Sequence, residues 1–166
     1  MTADTNVVRP AGTTAPASPT PSLTTAIHFF ESISLDSVAQ IAQLYAPKAF
    51  FKDPFNEVSG VPAIQKIFAA MFSQVDHPSF KVVSAVAQSQ AVGLDQEAFL
   101  TWEFYFTMRR FRVGQRQTIR GATHLKFDAA GLIIYHRDYW DAAEELYEKL
   151  PVLGSLMRWL KRRAQH

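Results

Sequence analysis

The chain contains no cysteine. That absence excludes disulfides, thiol nucleophiles and thiolate-held metals. Its 7 glycines are dispersed, and none opens the Gly-rich loop that cradles a phosphate. His28, His77, His124, His136 and His166 show neither paired spacing nor a facial cluster, so no metal site is expected. No apolar run reaches the length of a membrane span. Met1 to Ser22 is rich in Thr, Ala, Pro and Ser and lacks the apolar core of a secretory signal. A soluble, cytoplasmic protein is therefore expected. Charge of one sign is scarce too: 17 basic against 15 acidic residues give +2, a balance that argues against a nucleic-acid partner.

What is abundant is apolar and aromatic. Hydrophobic residues make up 48% and aromatic ones 13% of 166 positions, enough for one domain with a sizeable core and too few for two. Residues 1–22, with four prolines among small polar residues, cannot bury enough apolar surface to offset ordering and are expected to be a disordered tail. The folded domain is expected over 23–145. From Thr24, Ile27, Phe30 and Ile33 recur at helical spacing, followed by Val38, Ile41, Leu44 and Tyr45, with Leu35-Asp36-Ser37 as the break and cap between two helices. A short strand, Ala49 to Lys52, ends at Asp53-Pro54. After a turn through Asn56, Ser59 and Gly60, Ala63 to Phe72 forms a third helix that stops before His77-Pro78.

Beyond that point the period falls to two. Phe80–Gln88, Glu97–Arg110, Gln117–Phe127 and Leu132–Trp140 read as four strands joined by turns near Ala91-Val92-Gly93, Val113-Gly114 and Asp128 to Gly131. This order predicts an α+β domain, a curved antiparallel sheet with three N-terminal helices packed in its concavity. Asp141 caps a final helix. Residues 146–166, interrupted by Pro151, form an amphipathic helix with Leu153, Leu156, Met157 and Leu160 on one side and a cationic opposite side. That helix reads first as a lid or subunit-packing element, and second as a peripheral contact with an anionic membrane.

Alternation sets His136, Asp138 and Trp140 on one face of the last strand and Leu100, Trp102, Phe104, Phe106 and Met108 on one face of another. With Thr123, Leu125 and Phe127 they are assigned to the concave side, leaving Arg120, His124 and Lys126 outside. Two carboxylates then stand among large rings, where burial disfavours the charged form. Asp138 has no turn to serve; its alternative is a buried pair or a bond to Trp or Tyr. Asp53, before a proline, is equally a turn residue that binds nearby amides. His136 either shares a proton with Asp138 or bonds it structurally.

The segment Leu44-Tyr45-Ala46-Pro47-Lys48-Ala49-Phe50-Phe51-Lys52-Asp53-Pro54 and the later Gly60-Val61-Pro62-Ala63-Ile64, in this order of elements, resemble the nuclear-transport-factor-2-like superfamily, in particular its SnoaL-like and ketosteroid-isomerase-like members. The resemblance covers about residues 24–145 and implies a cone-shaped fold with a pocket at its open end. It implies that Asp53 occupies the place of a proton-shuttling carboxylate. Phe29 stands where the isomerases have a Tyr, and Thr123 where they have a protonated Asp. The last strand, Ile134 to Asp141, is similar to that of limonene epoxide hydrolase, which implies water activation or oxirane protonation by Asp138; the companion Arg-x-Asp is replaced by Leu100 to Phe106.

The combined expectation is a cofactor-independent acid-base enzyme of the isomerase, cyclase, dehydratase or epoxide-hydrolase kind. Its substrate would be a hydrophobic oxygenated small molecule. Asp53, Asp138 and His136 would be catalytic, and Phe29, Phe55, Trp102, Phe104, Thr123 and Trp140 would line the pocket. The alternative is a non-catalytic module of the same fold. In both readings the outer sheet face, with Tyr105, Tyr135 and Tyr139, suits a homodimer.

Overall fold

The computed structural model describes residues 21–88, 96–108 and 114–145. Helix α1 (Pro21–Glu31) opens on a proline, whose missing N–H costs nothing in a first helical turn. Its 3.6-residue period places Leu23, Ala26 and Phe30 on one face, all buried. Helix α2 (Leu35–Ala39) follows. Its cap is Ser34, whose hydroxyl accepts from the Ser37 amide at 3.1 Å while the Ser37 hydroxyl accepts from the Ser34 amide at 2.9 Å. The expected break at 35–37 is thus real, with the cap one residue before it. A single 3-10 turn, Ile41–Gln43, leads into the sheet.

Strand β1 (Tyr45–Lys52) begins four residues before the expected Ala49. Tyr45 is therefore a buried strand residue and not the end of a helix, because pairing with a distant strand outweighs the local helical spacing. The stretch read as turn contains a short strand, β2 (Glu57–Ser59), hydrogen-bonded back onto β1. Gly60, at φ +91°, then caps α3 (Val61–Gln74) from a backbone conformation that L side chains rarely adopt. Ile64 and Phe68 are the buried stripe of α3.

The remaining strands are β3 (Val75–Gln88), β4 (Gln96–Met108), β5 (Arg116–Phe127) and β6 (Ile133–Tyr139). β3 starts earlier than expected, but its pairing with β4 is broken at His77-Pro78, where His77 has φ 52° and proline has no amide to donate. The β5–β6 turn forms as expected: Asp128 Oδ1 accepts from the Ala130 and Leu132 amides at 2.9 Å each. The one-turn helix α4 (Ala142–Glu145) is capped by Asp141, which accepts from the Ala143 amide at 2.8 Å.

The strands form one curved, unclosed sheet in the order β2-β1-β6-β5-β4-β3. Pairing is antiparallel except between β1 and β6, which run parallel. That pair corrects the wholly antiparallel expectation, because strand direction along the chain does not determine which strands become neighbours. Helix α1 lies against β3, and α3 against β1 and β3, so the expected α+β architecture holds. Of the tail expected over 1–22, Pro21 and Ser22 belong instead to the first turn of α1, while residues 1–20, the turn at 91–93, residues 109–113 and the C-terminal segment 146–166 lie outside the described residues. Among those described, no helix is long and apolar enough to cross a membrane.

Candidate functional site

Alternation along β4, β5 and β6 puts the expected side chains inside. Leu100, Trp102, Phe104 and Phe106 are buried from β4, Leu125 and Phe127 from β5, and Thr123 and His136 are two of the few buried polar residues. Arg120 and Lys126 point outward, as expected, to salt bridges with Glu103 and Glu97. The register sets Thr123 directly opposite Asp138 and Leu125 opposite His136. Two strands therefore bring hydroxyl, carboxylate and imidazole together, and β1 delivers a fourth group, Tyr45, from the parallel side.

These groups form one hydrogen-bonded chain. Trp102 Nε1 donates to Thr123 Oγ1 at 2.7 Å, and Thr123 Oγ1 donates to Asp138 Oδ1 at 2.5 Å. His136 Nε2 lies 2.9 Å from the same Oδ1, and His136 Nδ1 lies 2.6 Å from the Tyr45 hydroxyl. An indole N–H can only donate, so the Thr123 hydrogen is free for Asp138. Burial, and then the neighbouring Asp138 charge, push the Tyr45 phenol well above its ordinary range, so it stays protonated. The Tyr45 hydroxyl and His136 Nδ1 share one hydrogen bond, and His136 Nε2 shares another with Asp138.

Asp138 Oδ1 is thus held by Thr123 and His136, whereas Oδ2 accepts from no described residue. No Lys or Arg pairs with this carboxylate among the described residues.

Its surroundings are apolar. The His136 ring is packed by Phe30, Phe51 and Phe68, with ring centroids at 5.5, 4.8 and 6.4 Å. A glycine makes the far end of the chain possible: Gly121 sits opposite Trp102, and a Cβ there would lie 2.5 Å from the indole ring. Only the bare backbone lets the ring lie across β5 and reach Thr123.

Two hollows meet at Asp138. An inner chamber of about 20 Å³, beside Phe30, Leu100 and Val82, has room for about one water-sized group. An open cleft of about 1120 Å³ runs outward between α3 and the sheet. Asp138, Trp102, Phe68 and Phe80 border both.

Asp53, Phe55, Phe104 and Trp140 line the outer cleft, and the Phe55 and Trp140 rings meet edge to face at 5.3 Å. Asp53 is also occupied by its turn. Its Oδ1 accepts from the Phe55 and Asn56 amides at 2.7 and 2.6 Å, and both of its oxygens accept from Asn56 Nδ2, at 3.0 and 2.9 Å. Phe29 borders neither hollow; it packs edge-on against Phe30, which takes the place expected for it. That is one helical step, 100°, from the expected position.

Tyr45 was missed as a site residue because nothing nearby in sequence links it to His136, 91 positions away. Among the described residues, no three His, Asp or Glu side chains are grouped to hold a metal ion.

The SnoaL-like domain family model matches residues 26–136. A search of curated proteins returns no match. Three solved structures share the fold at low identity. One is an NTF2-like protein of unknown function from Exiguobacterium, with TM-score 0.57 and 16% identity over 72% of this chain and 98% of that one. Another, from Catenulispora acidiphila, is a hypothetical protein with a ketosteroid-isomerase-like fold, solved with trimethylamine. Its TM-score is 0.61 and its identity 13%, over 79% of this chain and 94% of its own. The third is a nuclear transport factor 2 (NTF2-like) superfamily protein from Salmonella enterica, with TM-score 0.57 and 16% identity, over 73% and 87% respectively.

Proposed function

Because the chain belongs to the SnoaL-like domain family, we propose that it is a small-molecule pocket protein in which Asp138 transfers a proton on a hydrophobic, oxygen-bearing substrate. Such a fold hosts unrelated activities, so function is decided by the site and not by the family. The observation that carries it is the state of Asp138: one oxygen held by Thr123 and His136, the other without a donor among the described residues, at the junction of two hollows.

A structural carboxylate is usually tied off through both oxygens or paired with a cation. This one is oriented and left half-used. Oδ2 would take a proton from a carbon beside a carbonyl, the C–H electron pair passing into the enolate, and return it to another atom of the same molecule. Proton return of that kind needs no cofactor and suits isomerisation or cyclisation. The long apolar cleft holds the body of the substrate, with Phe55 and Trp140 at its walls. Asp53 acts mainly by holding the β1–β2 turn that shapes the mouth.

The reaction can be sought before the substrate is known. A panel of apolar ketones and enones incubated with the protein in D2O should exchange hydrogen for deuterium beside the carbonyl. Asp138→Asn should slow this about 10²–10⁴-fold. Equal exchange in both proteins would sink the proposal.

A second reading, compatible with the first, is a homodimer through the outer face. Rings of Phe50, Tyr135, His124 and Phe99 follow one another there at centroid separations of 5.4, 5.1 and 4.3 Å. Phe99 and Val86 are about half exposed, at 49% and 52%, and charges of both signs flank them, as a surface meeting its own copy requires. Phe99→Glu should shift a dimer to monomer in sedimentation; an unchanged sedimentation coefficient rejects this interface.

A further inference from the structure

We propose that Tyr45 is a positioning residue that acts through His136, holding the imidazole as the Nε2–H tautomer so that its hydrogen is directed at Asp138 Oδ1. The functional consequence, that Oδ2 is kept for the substrate, rests on the reading of Asp138 given above. Tyr45 borders neither hollow, so a molecule held in them would not meet it.

Trp102, Thr123, Asp138 and His136 stand in a row, and with a donor-only indole at one end and an acceptor carboxylate within it each link has one admissible direction. At the other end stands a phenol that burial keeps protonated. If His136 carried its hydrogen on Nδ1, that hydrogen and the Tyr45 hydrogen would compete for one 2.6 Å gap. The Nε2 lone pair would meanwhile face a carboxylate oxygen at 2.9 Å. If both nitrogens were protonated, the Tyr45 hydroxyl would have to turn its hydrogen away, and no described residue other than His136 receives it. A buried orphan of that kind is costly.

Among the described residues, four elements besides β6 itself face His136. From α1 and α3 come Phe30 and Phe68, and from β1 Phe51 and Tyr45. Leu125 is its neighbour on β5, and Asp138 shares β6. Of the described residues, only Tyr45 and Asp138 exchange hydrogen bonds with the ring, so the tautomer is set between them. Orientation follows as well. The Tyr45 ring lies parallel to the imidazole, 7° from coplanar, and its hydroxyl distinguishes Nδ1 from the carbon that a ring flip would put there.

Long-range proton–nitrogen NMR on the labelled full chain at neutral pH reads the tautomer directly, with His136 assigned by loss of its signals in His136→Gln. The wild type should show one pyridine-like nitrogen, Nδ1, and one pyrrole-like nitrogen, Nε2. Tyr45→Phe, which deletes a single oxygen, should change this to a two-tautomer average. A wild type with its hydrogen on Nδ1, or on both nitrogens, overturns the proposal. So does an unaltered Nε2–H pattern in a folded Tyr45→Phe. Should that variant not fold, the wild-type tautomer and a slowly exchanging Tyr45 hydroxyl proton close to the His136 ring still decide the matter; rapid exchange of that proton rejects it. These readouts need no substrate. They therefore fail independently of the deuterium-exchange test of Asp138.

Discussion

Two histidines on neighbouring strands, one facing in and one facing out, make nearly the same contacts and end in different chemistry. His136 meets Asp138 at 2.9 Å inside the sheet; His124 meets Glu97 at 2.5 Å outside it. Each ring is packed by aromatics, His124 against Phe99 at 4.3 Å. The carboxylates differ in who else holds them. Glu97 Oε1 also receives Lys126 at 3.1 Å, and the hydrogen bonds from Lys126 and then His124 hold its carboxyl below the usual range. Asp138, among the described residues, is held by Thr123 and His136 with no Lys or Arg beside it, and its second oxygen accepts from none of them. A histidine–carboxylate pair is therefore weak evidence of a site; the free valence of the carboxylate and the absence of a neutralising cation are what separate the two.

The inner arrangement should be the more fragile, because its parts are closely packed and the Trp102, Thr123 and His136 side chains that make it are buried. The largest effect is expected from Gly121→Ala, whose methyl group would meet the Trp102 indole at 2.5 Å. Overpacking of this kind costs about 1–3 kcal/mol, occasionally more, and it would pull the indole from Thr123. Urea unfolding together with tryptophan emission should register both changes. A midpoint and spectrum identical to wild type would mean that the indole has room the geometry does not give it.

Thr123→Val comes next. It keeps the shape, leaves the Trp102 N–H unpaired and removes one of the two donors on Asp138 Oδ1. A buried donor left without an acceptor costs about 1–3 kcal/mol, and the value here should sit toward the low end because the indole can shift toward the cleft. Substituting the neighbouring outer residue, His124→Gln, should cost less than Thr123→Val in the same denaturant series. The reverse ranking would break the contrast between the two faces.

The alkaline limb tests the inner chain by its proton. The Tyr45 phenol is raised by burial, so above the unfolded value of about 10 the unfolded chain loses a proton that the native protein keeps. Stability falls as pH climbs past that point, by at most about 1.4 kcal/mol per pH unit until the native phenol ionises. Tyr105 is also raised, by its bond to Glu103, which makes the comparison with Tyr45→Phe necessary. That variant should lose less stability between pH 10 and 11 than the wild type; parallel curves would show that Tyr45 ionises as readily folded as unfolded.

Much of the inner face was legible because a period of two over long strands leaves little freedom. Once Leu100, Trp102, Phe104 and Phe106 form an apolar row, the side of β4 that faces the core is determined, and alternation carries Thr123, His136 and Asp138 with it. The site's extremities were not legible for separate reasons. Tyr45 follows Ile41 and Leu44 at helical spacing, and only pairing with β6, far away in the chain, makes it a strand residue. Phe29 and Phe30 differ by a rotation of 100° on α1, too fine a distinction for a helix with Ile27 and Ile33 also apolar. Asp53 carried both of its readings in the dipeptide Asp-Pro. Its bonds to Phe55 and Asn56 favour the turn, while its place on the cleft keeps it near the chemistry.

The smallest effect is expected on the outer face, and it carries a sign. Because Glu97 is held below its usual range by Lys126 and His124, the contribution of this cluster is present above the unfolded carboxyl value of about 4.3 and is lost as pH falls through the lower native value. Its side chain is 25% exposed and Lys126 41%, so solvent and salt screen the pair, and Glu97→Gln should cost only ~0.2–1 kcal/mol at neutral pH. The difference between wild type and variant should shrink toward zero below about pH 4 and narrow again at 1 M salt. Asp138, with no Lys or Arg beside it among the described residues, should give Asp138→Asn a stability difference that salt leaves unchanged. If salt narrows both differences equally, a cation outside the described residues also reaches the inner carboxylate, and the distinction between the two faces is one of degree.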